Sequence, residues 1–148
     1  MGRESRLTAG VLLILMPTVV YGGASIQRML VGDSAYAQNQ LRQDLWRAGH
    51  AHAGVLLILS VVTLRYVDEA NLSKGLKRVA LHSIPAAAIL LPVAFFLSVA
   101  SPEATEPNAM IYLACVGAIS LGMGLLVLGV GLIRGGRTSH DTKERGSL

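Results

Sequence analysis

The chain has 148 residues, 52% of them hydrophobic and only 15% charged, with a formal net charge of +4 and a mean hydropathy of +0.52. An ordinary soluble domain carries roughly a quarter charged residues, so this composition argues against a soluble globular enzyme. The basic residues gather on no single soluble face and aromatics make up only 5%, which speaks against nucleic-acid binding, while the single Cys115 removes any disulfide framework or CxxC metal site.

Four apolar runs follow one another at 7–30, 48–64, 79–100 and 108–133. A bilayer core is crossed by about 20 helical residues, with roughly 17 to 25 tolerated. A span without water must satisfy its own backbone, and the alternation of a membrane β-barrel is absent, so helices are expected. The expected fold is all-α: an integral membrane four-helix bundle over 1–134, followed by a flexible tail over 135–148.

The first run contains Pro17 and then Gly22-Gly23, a bend beside Tyr21. Ala35-Tyr36-Ala37 has the form of a signal-cleavage site but lies well past the apolar run, so an uncleaved first span is the expectation. Loop one (31–47) carries a polar stretch at 38–46 suited to a short interfacial helix. The second run is the shortest, flanked by Trp46-Arg47 and Arg65-Tyr66, residues that anchor spans at headgroups. The third carries Pro85 and Pro92, seven residues apart and so on one face. The fourth is rich in small residues: Ala114, Ala118 and Gly122 recur at four-residue spacing, as do Ser120 and Gly124, and Gly117, Gly129 and Gly131 extend the set. Lipid gives helices no hydrophobic reason to associate, so such residues serve packing inside the bundle, or docking of a second copy or a larger membrane complex.

Lys and Arg set orientation. Arg3, Arg6, Arg65, Lys74, Lys77, Arg78, Arg134, Arg137, Lys143 and Arg145 fall on one side, against Arg28, Arg42 and Arg47 on the other. Both termini are therefore expected in the cytoplasm, in a bacterial inner membrane.

Arg47-Ala48-Gly49-His50-Ala51-His52-Ala53-Gly54 opens the second span, and His82 opens the third from the opposite side. Ionisable groups in spans are costly and carry a functional hypothesis by default. Residues two apart on a helix point about 200° from each other, so His50 and His52 do not share a metal unless the helix unwinds. His82 lies roughly 18 Å from them along the membrane normal, counted at 1.5 Å per residue, which excludes a single three-histidine site. Three readings stay open. One is haem b between helices, with Gly49, Ala53 and Gly54 leaving room for the ring. Another is copper at the outer face, with His50 and His52 as metal ligands beside Met29 and Met110. The last is histidines that hydrogen-bond neighbours such as Gln27, Tyr21 or Ser83 and hold helices together. The candidate cofactor contacts are His50, His52, His82, Arg47 and Tyr21. Arg28 and Arg47, with Gln27 and Gln40, also suit a quinone headgroup or an anionic lipid, although snorkelling is the simpler account of the two arginines.

The Gly49-His50-Ala51-His52-Ala53-Gly54 segment resembles the GHxH helix of haem-copper oxidases and nitric oxide reductases, a resemblance that covers positions 47–54 of the 148. It implies a haem-associated membrane protein, such as an electron-transfer or respiratory accessory subunit. The chain has too few spans for the catalytic subunit of that family and lacks its other histidines, so oxidase or reductase activity is not implied. The overall pattern is also similar to small four-span bacterial membrane proteins. The spans hold no Asp or Glu for a proton relay, and the chain shows no Walker A, HExxH or GxSxG motif. Ser25, Ser60, Thr63, Ser83 and Ser98 lack a visible base and orienting acid, so a non-hydrolytic protein is expected.

Overall fold

The structure, a computed structural model, describes residues 1–145, with side chains through position 136; residues 146–148 and the side chains of Arg137, His140, Lys143 and Arg145 lie outside that description. In chain order the elements are α1 (Arg3–Gly32), α2 (Ser34–Ala37), α3 (Gln40–Val67), α4 (Lys74–Ser98), a short 3-10 turn (Ala109–Tyr112) and α5 (Leu113–Arg145). Among the described residues there is no strand. Four helical stretches are long and apolar enough to cross a membrane: Arg3–Gly32, Gln40–Val67, Lys74–Ser98 and Ala109–Gly136. They point to a multi-pass membrane protein.

Side-chain caps start the helices. Asp33 accepts from the amides of Ala35 and Tyr36, Asn39 from Arg42, Ser73 from Leu76 and Asn108 from Met110. The Asn39 cap has a consequence for loop one. Its polar stretch forms no separate interfacial helix; Gln40 onward is the first part of α3 itself. Arg47 secures this turn by bonding back to the Gln43 carbonyl at 3.1 Å and to the Gln43 amide oxygen at 3.1 Å. α5 likewise continues past Gly135, where the sequence suggests a tail, as far as Arg145.

The helices pack in the order α1–α3–α4–α5, with α4 flanked by α3 and α5 and with α1 resting on α3. Burial follows that order: 56% of the most apolar stretch of α4 is buried, against 6% in α1. Leu56, Leu57, Leu64, Ile84, Ala87 and Leu128 form the centre of the core. Pro85 and Pro92 both face it.

α5 approaches α4 and the connection that precedes it along one row of glycines. A Cβ at Gly117 would lie 3.0 Å from Leu91, one at Gly124 2.7 Å from Ile84, and one at Gly131 2.5 Å from Leu72. The seven-residue repeat keeps these positions on one face. Ser120 adds a bond from its hydroxyl to the Ser83 carbonyl at 2.9 Å. Span hydroxyls elsewhere bond within their own helices, Ser60 to the Leu56 carbonyl at 2.7 Å and Thr63 to the Leu59 carbonyl at 2.9 Å.

Two ends of the bundle differ in chemistry. The end bearing Arg3, Arg65 and Lys74 is the basic end. The opposite end bears His50 and His52.

Candidate functional site

At the histidine end, α1, α2 and α3 enclose a cavity of about 390 Å³ lined by Gly23, Ile26, Gln27, Leu30, Tyr36, Gln43, Arg47 and His50. Gln43, Arg47 and His50 stand four and three residues apart on α3 and so share one face. Gly23 is what lets α1 close on that face: a Cβ there would lie 2.7 Å from His50 Nε2. Gln43 donates to the carbonyls of Tyr36 at 3.1 Å and Ala37 at 2.8 Å, which fixes α2 over the end of the cavity.

The wall is mostly apolar, and its few polar groups are incompletely satisfied. The Tyr36 side chain is 1% exposed, and its buried hydroxyl has no hydrogen-bond partner. Burial raises the Tyr36 phenol above its ordinary range, against the lowering effect of the nearby Arg47 and Arg42 charges, so the group stays a neutral donor. Among the described residues no hydrogen bond is formed by the Gln27 amide or the His50 ring. Arg47 is already engaged, by Gln43 and by Asp44 at 3.4 Å. An unpaired buried hydroxyl costs about 1–3 kcal/mol.

Behind this wall lies a feature with no forewarning in the sequence. Arg42 is 5% exposed. Its Nε donates to the Val99 carbonyl at 3.2 Å, and its guanidinium lies 4.8 Å from the Trp46 ring centroid and 5.8 Å from that of Tyr36. Cation–π contact stands in for a carboxylate. Trp46 meets Phe96 edge-on at 5.9 Å, which joins α3 to α4.

Of the residues singled out in the sequence, His50, Arg47 and Gln27 line the cavity. His52 points elsewhere, as the 200° offset requires: its ring lies 5.2 Å from Phe95 of α4, and Nδ1 is 2.7 Å from the Ala48 carbonyl. His82 is exposed near the basic end of α4. Tyr21 is 76% exposed; it precedes Gly23 by two residues and so faces away from α3. Gln40 bonds Asp44 at 2.8 Å outside the cavity. The space beside Gly49 is filled by Phe95 and Phe96 at 3.2 Å. Ala118 is exposed, Ala114 packs against the core, and a Cβ at Gly122 would meet nothing within 4 Å.

These positions bear on haem and copper. His50 Nε2 abuts α1 at Gly23, which leaves no space there for a porphyrin plane. Met29 lies on α1, whereas Met110 belongs to the 3-10 turn, which packs on α4 and α5. Among the described residues no three His, Cys, Asp or Glu side chains converge. The cavity volume falls at the small end of ligand pockets, roughly 300–1,000 Å³.

Fold and site together give an all-helical chain, with four helices long and apolar enough to cross a membrane and a largely apolar cavity between α1 and α3 that carries a few polar groups. Comparisons with protein-family models, with curated proteins and with solved structures return no match to this chain.

Proposed function

We propose that the chain is a non-hydrolytic inner-membrane protein that holds the headgroup of a membrane-soluble quinone at its histidine end, as an accessory to electron transfer. The observation that carries this reading is the cavity between α1 and α3, whose lining sets Gln27 and His50, neither of them hydrogen-bonded among the described residues, beside the apolar Ile26 and Leu30. A quinone presents ring carbonyls that accept from an imidazole N–H and an amide, and an apolar ring that suits Ile26, Leu30 and Gly23. The pairing of Arg47 with Asp44 favours a carbonyl over an anion. Binding and orientation are the whole role; no bond is made or broken by this chain.

Trp46 is the only tryptophan, and its ring lies 5.5 Å from that of Tyr36, so a bound quinone quenches its fluorescence. Titration with a short-chain quinone in detergent is expected to give saturable quenching. His50→Ala is expected to weaken it about fivefold, the loss of one hydrogen bond worth about 1 kcal/mol. Linear, unsaturated quenching that is identical in wild type and variant would sink the proposal.

A second reading rests on His52. A bond to the Ala48 carbonyl requires a proton on Nδ1, so the neutral ring keeps its lone pair on Nε2. Haem b would then be held on the exposed α3 face by His52 and a ligand from a second subunit. A Soret band in the purified protein that vanishes in His52→Ala would move the assignment there, and colourless wild-type protein removes it.

A further inference from the structure

The basic end holds a second cavity, of about 340 Å³, formed by the first turns of α1 and α4 and the end of α3. Four cations line it, Arg3, Lys74, Lys77 and Arg78, against two anions, Glu4 and Asp68. Asp68 is spoken for. Its carboxylate accepts the Gly2 amide at 2.5 Å and the Ser5 hydroxyl at 3.1 Å, and its carbonyl takes Lys77 Nζ at 3.4 Å. Arg3, Lys74 and Arg78, in contrast, form no hydrogen bond or ion pair among the described residues.

Geometry adds to charge. Two long helices begin at this cavity, α1 at Arg3 and α4 at Lys74, and each start presents amides without helical partners and the positive end of a helix dipole. Ser73 caps only the Leu76 amide at 3.4 Å, which leaves the earlier α4 amides free. Val67 and Leu81 form the apolar floor, at the point where the span Gln40–Val67 ends. A polar mouth over an apolar floor at a span end is where a lipid phosphate lies.

We infer that this cavity binds a phosphate group, presented by an anionic phospholipid headgroup or by free phosphate, through Arg3, Lys74 and Arg78. It lies at the opposite end from the quinone cavity and does not depend on that reading.

The test uses the full chain in neutral detergent, with phosphatidylglycerol or phosphatidylcholine added and bound lipid counted by native mass spectrometry. Phosphatidylglycerol is expected to bind at least about tenfold more tightly. The double variant Lys74→Gln/Arg78→Gln removes two exposed side chains without internal partners, so its fold is preserved. It is expected to lose about 25-fold in affinity, about fivefold for each cation. Arg65→Gln removes the same charge from a residue paired with Glu69 outside the cavity and is expected to leave affinity within about twofold. Inorganic phosphate, compared with chloride at equal ionic strength, separates the sources. If it displaces the lipid, phosphate alone is recognised; if it does not, the lipid's glycerol and chains on the Val67–Leu81 floor are required. Equal binding of the two lipids overturns the inference. So does an Arg65→Gln loss as large as that of the double variant, because attraction would then be a property of the whole basic surface.

Discussion

Replacement of Gly124 by alanine tests whether the α4–α5 seam is set by glycine. The new Cβ would lie 2.7 Å from Ile84 Cγ1, 3.1 Å from Ser83 Cβ and 3.3 Å from the Ile84 backbone nitrogen. Carbon atoms prefer about 3.5–4.0 Å, so relief requires close to an ångström of movement. Ile84 is 0% exposed, and its branched Cβ leaves few alternative rotamers. The backbone nitrogen moves only if the helices part, which also stretches the Ser120–Ser83 bond. Overpacking of this kind costs about 1–3 kcal/mol. Alanine in a helix interior returns about 0.5–1 kcal/mol relative to glycine.

Gly122→Ala supplies the control. It gains the same propensity, and its Cβ meets nothing within 4 Å. Both variants share the propensity gain, so their difference isolates the clash, and Gly124→Ala should be the less stable by about 1–3 kcal/mol. Unfolding by SDS titration in mixed micelles, followed through Trp46 fluorescence, reads that difference because Trp46 packs on Phe96 of α4. If the two variants unfold within about 0.5 kcal/mol of each other, a difference too small for overpacking, the glycine row is not what sets the seam.

Tyr36→Phe removes a buried hydroxyl with no partner; thermal unfolding of the ligand-free protein should show it neutral or more stable by about 1 kcal/mol. A stability loss above that size would mean the hydroxyl has a partner in the native state. The Asp68 carboxyl is held below the ordinary aspartate range, chiefly by the Gly2 amide and then by the Ser5 hydroxyl. Its contribution is therefore complete above that range and lost as pH falls through it toward the lower folded value. In an acid titration of unfolding, Asp68→Asn should flatten this part of the profile, with a modest effect because the residue is exposed. An unchanged slope refutes the coupling. Gly122→Leu should leave the monomer fold intact, since open space surrounds that position; a change in mass by light scattering would identify this face as a contact between copies.

The four helices were legible because each depends on a long apolar run, a one-dimensional property. Their ends were not. Gln40-Leu41-Arg42-Gln43 reads as part of a separate interfacial helix, yet it is the first turn of the span helix α3, capped by Asn39 and secured by Arg47 bonding back to Gln43. The shared face of Arg47 and His50 followed from spacing alone, and adding Gln43 needed only the helix to start four residues past Tyr36. Gln27 and Tyr36 could not be joined to that face, because adjacency of α1, α2 and α3 is a tertiary fact. The same limit hid which glycines matter: 117 and 124 meet α4 and 131 meets Leu72 and Ala70 in the connection before it, while 122, 129 and 136 meet nothing within 4 Å. Register, rather than composition, separates the two rows.

The weak packing of α1 gives the quinone cavity a mechanical consequence. With 6% of its most apolar stretch buried, α1 has little core to hold it. It is tied to the rest at its basic end by Asp68 and closes on His50 at Gly23 near the other. Segments with few buried contacts open at low free energy, ahead of the core. A ligand between α1 and α3 binds only the closed form and stabilises it by RT ln(1 + [L]/Kd), about 2.7 kcal/mol at a hundredfold excess over Kd. Amide exchange in the half of α1 around Gly23 should therefore slow by up to about a hundredfold when quinone saturates the protein, with α4 and α5 unchanged. Slowing spread evenly over the bundle would show a ligand that stabilises the whole fold and has no special hold on α1. No slowing at all would place the ligand outside the α1–α3 cavity.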